Sequence, residues 1–102
     1  MTSRHDTLLA ALREAIHVEL VHVAPRYVRE ELDGGDESCC EHFGASTWRI
    51  ARMLDVPAAE ARGRLLDLAE AGRVLHSGRG TGHGMRWWPV GMAGELWEST
   101  GA

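Results

Sequence analysis

Apolar residues recur at helical spacing in three blocks of this chain. Over residues 6–23, Leu8, Leu12, Ala15, Ile16, Leu20 and Val23 follow at three- and four-residue steps, the pattern of an amphipathic helix. Asp6 or Thr7 can supply a capping oxygen at its start. Pro25 either ends that helix or opens a second, short one through Tyr27, Val28 and Leu32. The pattern then breaks. Residues 33–38 read D-G-G-D-E-S, the composition of an exposed, mobile loop. This divides an N-terminal helical arm (residues 1–32) from an acidic, Gly-containing loop that runs to residue 45 and carries Cys39-Cys40-Glu41-His42.

Beyond the loop the periodicity resumes. Ser46 is placed to cap a helix over 47–54 whose buried stripe is Ile50, Ala51 and Leu54. Asp55, Val56 and Pro57 form a turn, with Pro57 suited to a first helical turn. A second helix over 58–71 turns Ala61, Leu65 and Leu68 to one side and ends at Gly72, the expected left-handed cap. Residues 73–77, with Val74 and Leu75, read as a strand; 78–84 (G-R-G-T-G-H-G) as a loop tip; 85–90 as the partner strand; and 92–98, around Met92, Leu96 and Trp97, as a short last helix. The expected class is mainly α with a small antiparallel β-hairpin.

The run S-T-W-R-I-A-R-M-L-D-V-P-A-A-E-A-R-G-R-L-L-D-L-A-E-A-G-R-V-L, a Gly-rich tip and M-R-W-W-P-V together resemble the winged-helix DNA-binding family over residues 46–91. The resemblance implies a winged helix-turn-helix with an N-terminal helical extension (1–32) and a short C-terminal tail (92–102). It also implies that helix 58–71 enters the major groove of duplex DNA while the wing meets the backbone or minor groove. Winged helices also serve as protein-interaction modules, so fold does not by itself name the partner.

At 102 residues the chain fits one domain. No apolar run approaches the ~20 residues a membrane helix needs, and no secretory apolar segment follows the polar residues 1–6, so a cytoplasmic location is the default. Lys, Asn and Gln are absent and all eleven basic residues are Arg, which fits a high-GC bacterial or phage genome. The net charge of −4 is unevenly spread. Residues 1–45 hold four Arg against nine acids, whereas residues 46–91 hold seven Arg against four acids. Nucleic-acid binding needs a local basic face rather than a basic total, and this division permits one.

With Ala61, Leu65, Leu68 and Gly72 inward, helix 58–71 turns Ala59, Gly63, Leu66 and Glu70 outward, flanked by Arg62 and Asp67, with Arg64 and Glu60 toward the other edge. Arg62 has the fork to read guanine, and the small Ala59 and Gly63 permit close approach to base edges. The plain alternative is a solvated face with i,i+4 pairs such as Glu60 with Arg64. Gly63 tips the balance towards function, because glycine inside a helix costs about 1 kcal/mol relative to Ala. Arg49 and Arg52 on the preceding helix are candidate phosphate anchors, and Arg79 and His83 are candidate wing contacts, the plain alternative being a flexible hairpin tip. Trp48, in the first turn of helix 47–54, is either a partly exposed anchor or a core residue, and core packing is the preferred reading. Trp87 and Trp88, adjacent on a strand, must face opposite sides; one plugs the core and the other needs a cover from the arm, the tail or a second subunit.

Cys39, Cys40 and His42 offer up to three zinc ligands, but no second paired motif accompanies them, so two reduced structural thiols are the favoured reading and no cofactor is expected. Ser38 and Ser77 lack any nucleophile elbow, and no motif places a base beside them, which argues against an enzyme. Two functions follow. The first is a small transcriptional regulator that binds double-stranded DNA, as a homodimer through residues 6–23. The second is a protein-interaction module or inhibitor, of a phage anti-defence type, acting through the acids of 30–41: Glu30, Glu31, Asp33, Asp36, Glu37 and Glu41.

Overall fold

A computed structural model describes residues 4–77 and 85–99. In chain order the elements are α1 (Arg4–Leu20), α2 (Pro25–Asp33), α3 (Gly35–Phe43), β1 (Ala45–Ser46), α4 (Thr47–Leu54), α5 (Ala58–Glu70), β2 (Val74–His76), β3 (Arg86–Pro89) and α6 (Met92–Ser99). The strands form one antiparallel sheet in the order β1-β3-β2. Trp87 pairs with Ala45 on one side and His76 on the other, and Trp88 pairs with Leu75. A mainly helical chain with this small sheet is compatible with a winged-helix-like fold. The tip of the hairpin, residues 78–84, lies outside the described residues.

The expected antiparallel hairpin is present as β2 and β3. The hairpin is part of a three-stranded sheet, because β1 supplies a third strand just ahead of α4. The segment expected as an acidic loop holds α3 instead. Gly35, with φ +82°, turns the chain out of α2, and Asp36 and Glu37 then occupy the first turn of α3, where the helix dipole favours negative charge. Cys39, Cys40 and Phe43 form its buried face. The polar, Gly-containing run is thus a helix start rather than a loop. Gly44 follows where only glycine fits, since a Cβ there would lie 2.5 Å from the Cys40 carbonyl oxygen. The caps expected at Asp6 or Thr7 fall inside α1, which begins at Arg4.

The core is continuous across both halves of the chain. Leu8, Leu12, Ala15 and Ile16 of α1 are fully buried together with Ile50, Leu65, Leu68 and both β3 tryptophans. The apolar stripe of the N-terminal helix is therefore spent within the chain, against α4, α5 and β3. Arg13 of α1 also pairs with Glu95 of α6 at 2.5 Å, and Arg73 pairs with Asp6 at 3.7 Å.

Successive strand residues point to opposite faces, and each face of β3 has its own helical cover. The Trp87 indole N–H donates to Thr47 Oγ1 of α4 at 2.8 Å. The Trp88 indole N–H donates to Asp36 Oδ1 of α3 at 2.9 Å. The same carboxylate accepts from the backbone N–H of Gly91 (2.8 Å, to Oδ2) and of Ala93 (3.0 Å, to Oδ1). One side chain thus joins α3, β3 and the entry to α6. Partial burial pushes the Asp36 carboxyl pKa up, but the hydrogen bonds from Gly91, Trp88 and Ala93 outweigh it and hold the pKa below its ordinary value.

Asp36→Ala leaves a buried indole N–H and two helix-entry N–H groups without their acceptor, so chemical denaturation should show a loss of roughly 2–3 kcal/mol, at the upper end of the cost of buried unsatisfied groups. A depressed folded-state pKa stabilises fully above the unfolded carboxyl pKa, and that contribution is lost as pH falls through the lowered folded value. Acid titration of the native chain should therefore show a loss of stability below about pH 4, the range of a free Asp, that is absent from Asp36→Asn.

Candidate nucleic-acid interface

The helix pair α4–α5 is built by local signals that the sequence carries openly. Ser46 caps α4, its hydroxyl accepting from the Arg49 N–H at 3.2 Å. α4 ends with Asp55 at φ +54°, where Asp55 N–H donates to the Arg52 carbonyl and Val56 N–H to the Ala51 carbonyl. This paired closure satisfies the last carbonyls of the helix. α5 closes in the same way, with Gly72 at φ +74° donating to Ala69 and Arg73 donating to Leu68. Ala61, Leu65 and Leu68 face inward and are fully buried, as their spacing predicts.

The opposite side of α5 is open. Ala59, Arg62 and Gly63 are exposed among the described residues, and Leu66 is half-buried against the core. A Cβ built on Gly63 meets nothing within 4 Å, so no internal contact requires glycine there. Among the described residues no ion pair engages Arg62 or Arg52, both of which are exposed. Arg64 differs: it is half-buried and pairs with Glu60 at 3.3 Å. Arg49 is also engaged, in an ion pair with Glu19 of α1. Of the wing contacts, Arg79 and His83 lie outside the described residues.

Trp48 is a correction. It was expected in the core, yet it is 55% exposed and shares the outer face of α4 with Arg49, Arg52 and Met53. The buried stripe of α4 is Thr47, Ile50 and Ala51, which turns position 48 outward. Thr47 takes the interior place because its hydroxyl meets the Trp87 indole, a partner that periodicity alone does not reveal. An aromatic ring and two guanidiniums now border the helix pair, the residue types enriched at binding surfaces.

Much of the acidic segment is tied into the fold. Asp36 serves Trp88 and α6, Glu30 pairs with Arg26 at 3.3 Å, and Glu31 is shared by Ser38 and His42. Ser38 Oγ donates to Glu31 Oε2 at 2.5 Å, and His42 Nδ1 lies 3.0 Å from that oxygen and 2.9 Å from the Ser38 carbonyl oxygen. Nδ1 faces two acceptors and so carries the proton. The group that meets the serine hydroxyl is thus a carboxylate rather than an imidazole.

Cys39 and Cys40 are buried, unpaired thiols. Burial first, then nearby carboxylates, pushes both pKa values up to about 11; for Cys40 the Arg86 charge opposes the rise. Both are neutral thiols near pH 7, which makes them weak nucleophiles. Among the described residues no group of three ligating side chains converges on a point. No described helix is long and apolar enough to cross a membrane.

Compared with protein-family models, with curated proteins and with solved structures, the chain matches none. The groove-facing candidates Ala59, Arg62 and Gly63 share one open side of α5, and Arg52 stands on the adjoining helix.

Gly63→Ala tests whether glycine serves the fold. The added methyl meets open space and glycine weakens a helix interior, so the variant should unfold at higher denaturant, with a gain of about 0.5–1 kcal/mol. A loss of stability would mean that position 63 has a packing role.

Proposed function

We propose that this chain is a winged-helix protein that binds duplex DNA and acts in the cytoplasm as a transcriptional regulator. The observation that carries the reading is the free outer side of α5: Arg62 unpaired among the described residues, and Ala59 and Gly63 too small to hold a groove away. In this reading α5 lies in the major groove and Arg62 forks onto guanine O6 and N7. Arg52 holds a phosphate directly. Arg49 does so by exchanging Glu19 for the backbone, and Arg64 by exchanging Glu60. Arg79 and His83 contact the backbone or minor groove from the wing.

A single helix-turn-helix makes few base contacts, and pairing on two half-sites is the usual remedy. The proposed homodimer forms through the side of α1 that the core leaves uncovered. Val18 stands there, 45% exposed, and Val21 in the turn that follows α1 is 76% exposed. The rival reading, an acidic interaction surface, keeps fewer residues than the sequence offers, because Glu30, Glu31 and Asp36 already have internal partners.

Fluorescence anisotropy with an arbitrary labelled duplex at low salt is the direct measurement. The native chain should bind, and binding should weaken linearly on a log–log plot as salt rises, because phosphate contacts release counterions. Arg62→Glu should abolish binding while the thermal melt is retained, and Gly63→Ala should bind more weakly despite its firmer helix. Absence of binding at low salt overturns the proposal.

A further inference from the structure

We infer that the chain binds a small organic anion, a carboxylate or phosphate carried on an apolar body, in the cavity between α1, α3, β1 and α4. The cavity measures about 400 Å3, within the range of small-molecule sites. Its floor is apolar and includes the buried Phe43 ring. Its rim carries Arg49, Arg86, His42, Ser46 and Glu19, two guanidiniums against one carboxylate.

The rim is held in place by the fold. Arg86 Nη1 donates to the Gly44 carbonyl at 3.3 Å, which sets the guanidinium at the mouth. A Cβ on Gly44 would lie 2.9 Å from Arg86 Cβ, so glycine is what lets this strand residue come so close to the floor. Among the described residues no carboxylate pairs with Arg86, and the planar fork of arginine suits bidentate capture of a carboxylate or phosphate. His42 commits its Nδ1–H to Glu31 and the Ser38 carbonyl, so an anion is met by the two guanidiniums rather than by this ring. Glu19 occupies Arg49 and acts as the internal competitor, so an entering anion displaces it and loosens the tie between α1 and α4. The site shares Arg49 with the proposed DNA surface, but its test reads small-anion binding with no duplex present, so either reading can fail without the other.

The test is calorimetric or NMR titration of the full chain with benzoate and with phenyl phosphate, using inorganic phosphate and benzyl alcohol as probes of charge alone and ring alone. Saturable binding is expected for the two aromatic anions and for neither control, and the stronger of the pair identifies the headgroup. Arg86→Gln should weaken binding about tenfold, the loss of one charge-assisted hydrogen bond. Glu19→Gln should tighten it severalfold by freeing Arg49, whereas Glu14→Gln, an equal charge change at another exposed position of α1, should leave it unchanged. Should Arg86→Gln fail to fold, the Glu19 and Glu14 variants decide alone. No saturable binding, an unaffected Arg86→Gln, or equal tightening by both glutamate variants overturns the inference.

Discussion

Two neighbouring indoles on one strand project to opposite faces of a sheet, and here both are fully buried. That obliges the chain to lay helices on each side of β3. α1 packs against β3, and Thr47 of α4 meets the Trp87 indole N–H. α3 packs against β3 as well, and its Asp36 meets the Trp88 N–H. Each N–H needs its own acceptor, since a buried unsatisfied donor costs as much as several good apolar contacts contribute. The two short polar contacts therefore fix where α4 and α3 dock as firmly as the apolar packing does.

From this constraint follows the division of labour among the helices. α2 and α3 lie between α1 and β1 in sequence, and α3 shields a sheet face that would otherwise expose a tryptophan. α1 supplies the wall behind α4 and α5. With these partners in place α5 needs only Ala61, Leu65 and Leu68 to hold it, and its outer side is left to solvent. A surface that the fold does not use, on a helix interrupted by a glycine the fold does not need, is what the functional proposal rests on.

Charge is distributed by the same logic. The acid-rich N-terminal half looks like an interaction surface in one dimension, but its carboxylates are largely internal fasteners. Asp36 binds three donors, Glu31 gathers Ser38 and His42, and Glu19 holds Arg49. Arg52 and Arg62 have no such partner among the described residues. The basic character of the 46–91 segment is therefore concentrated on fewer side chains than its composition suggests, and these stand on adjoining helices.

Local signals in the amino-acid sequence were enough for the helix pair. The Ser46 cap, the stripe at 61, 65 and 68 and the positive φ at Gly72 depend on neighbours within a turn or two of chain, and hydrophobic spacing records such neighbours. Trp48, α3 and β1 were beyond that reach. Trp48 faces outward because Thr47 was claimed by an indole forty residues away. D-G-G-D-E-S is a helix start because Asp36 meets β3 and the entry to α6, and Ala45 and Ser46 are a strand because β3 lies beside them. Periodicity registers which side of an element is buried; only the assembled fold decides what buries it, since the acceptor or strand that completes each group comes from a distant part of the chain.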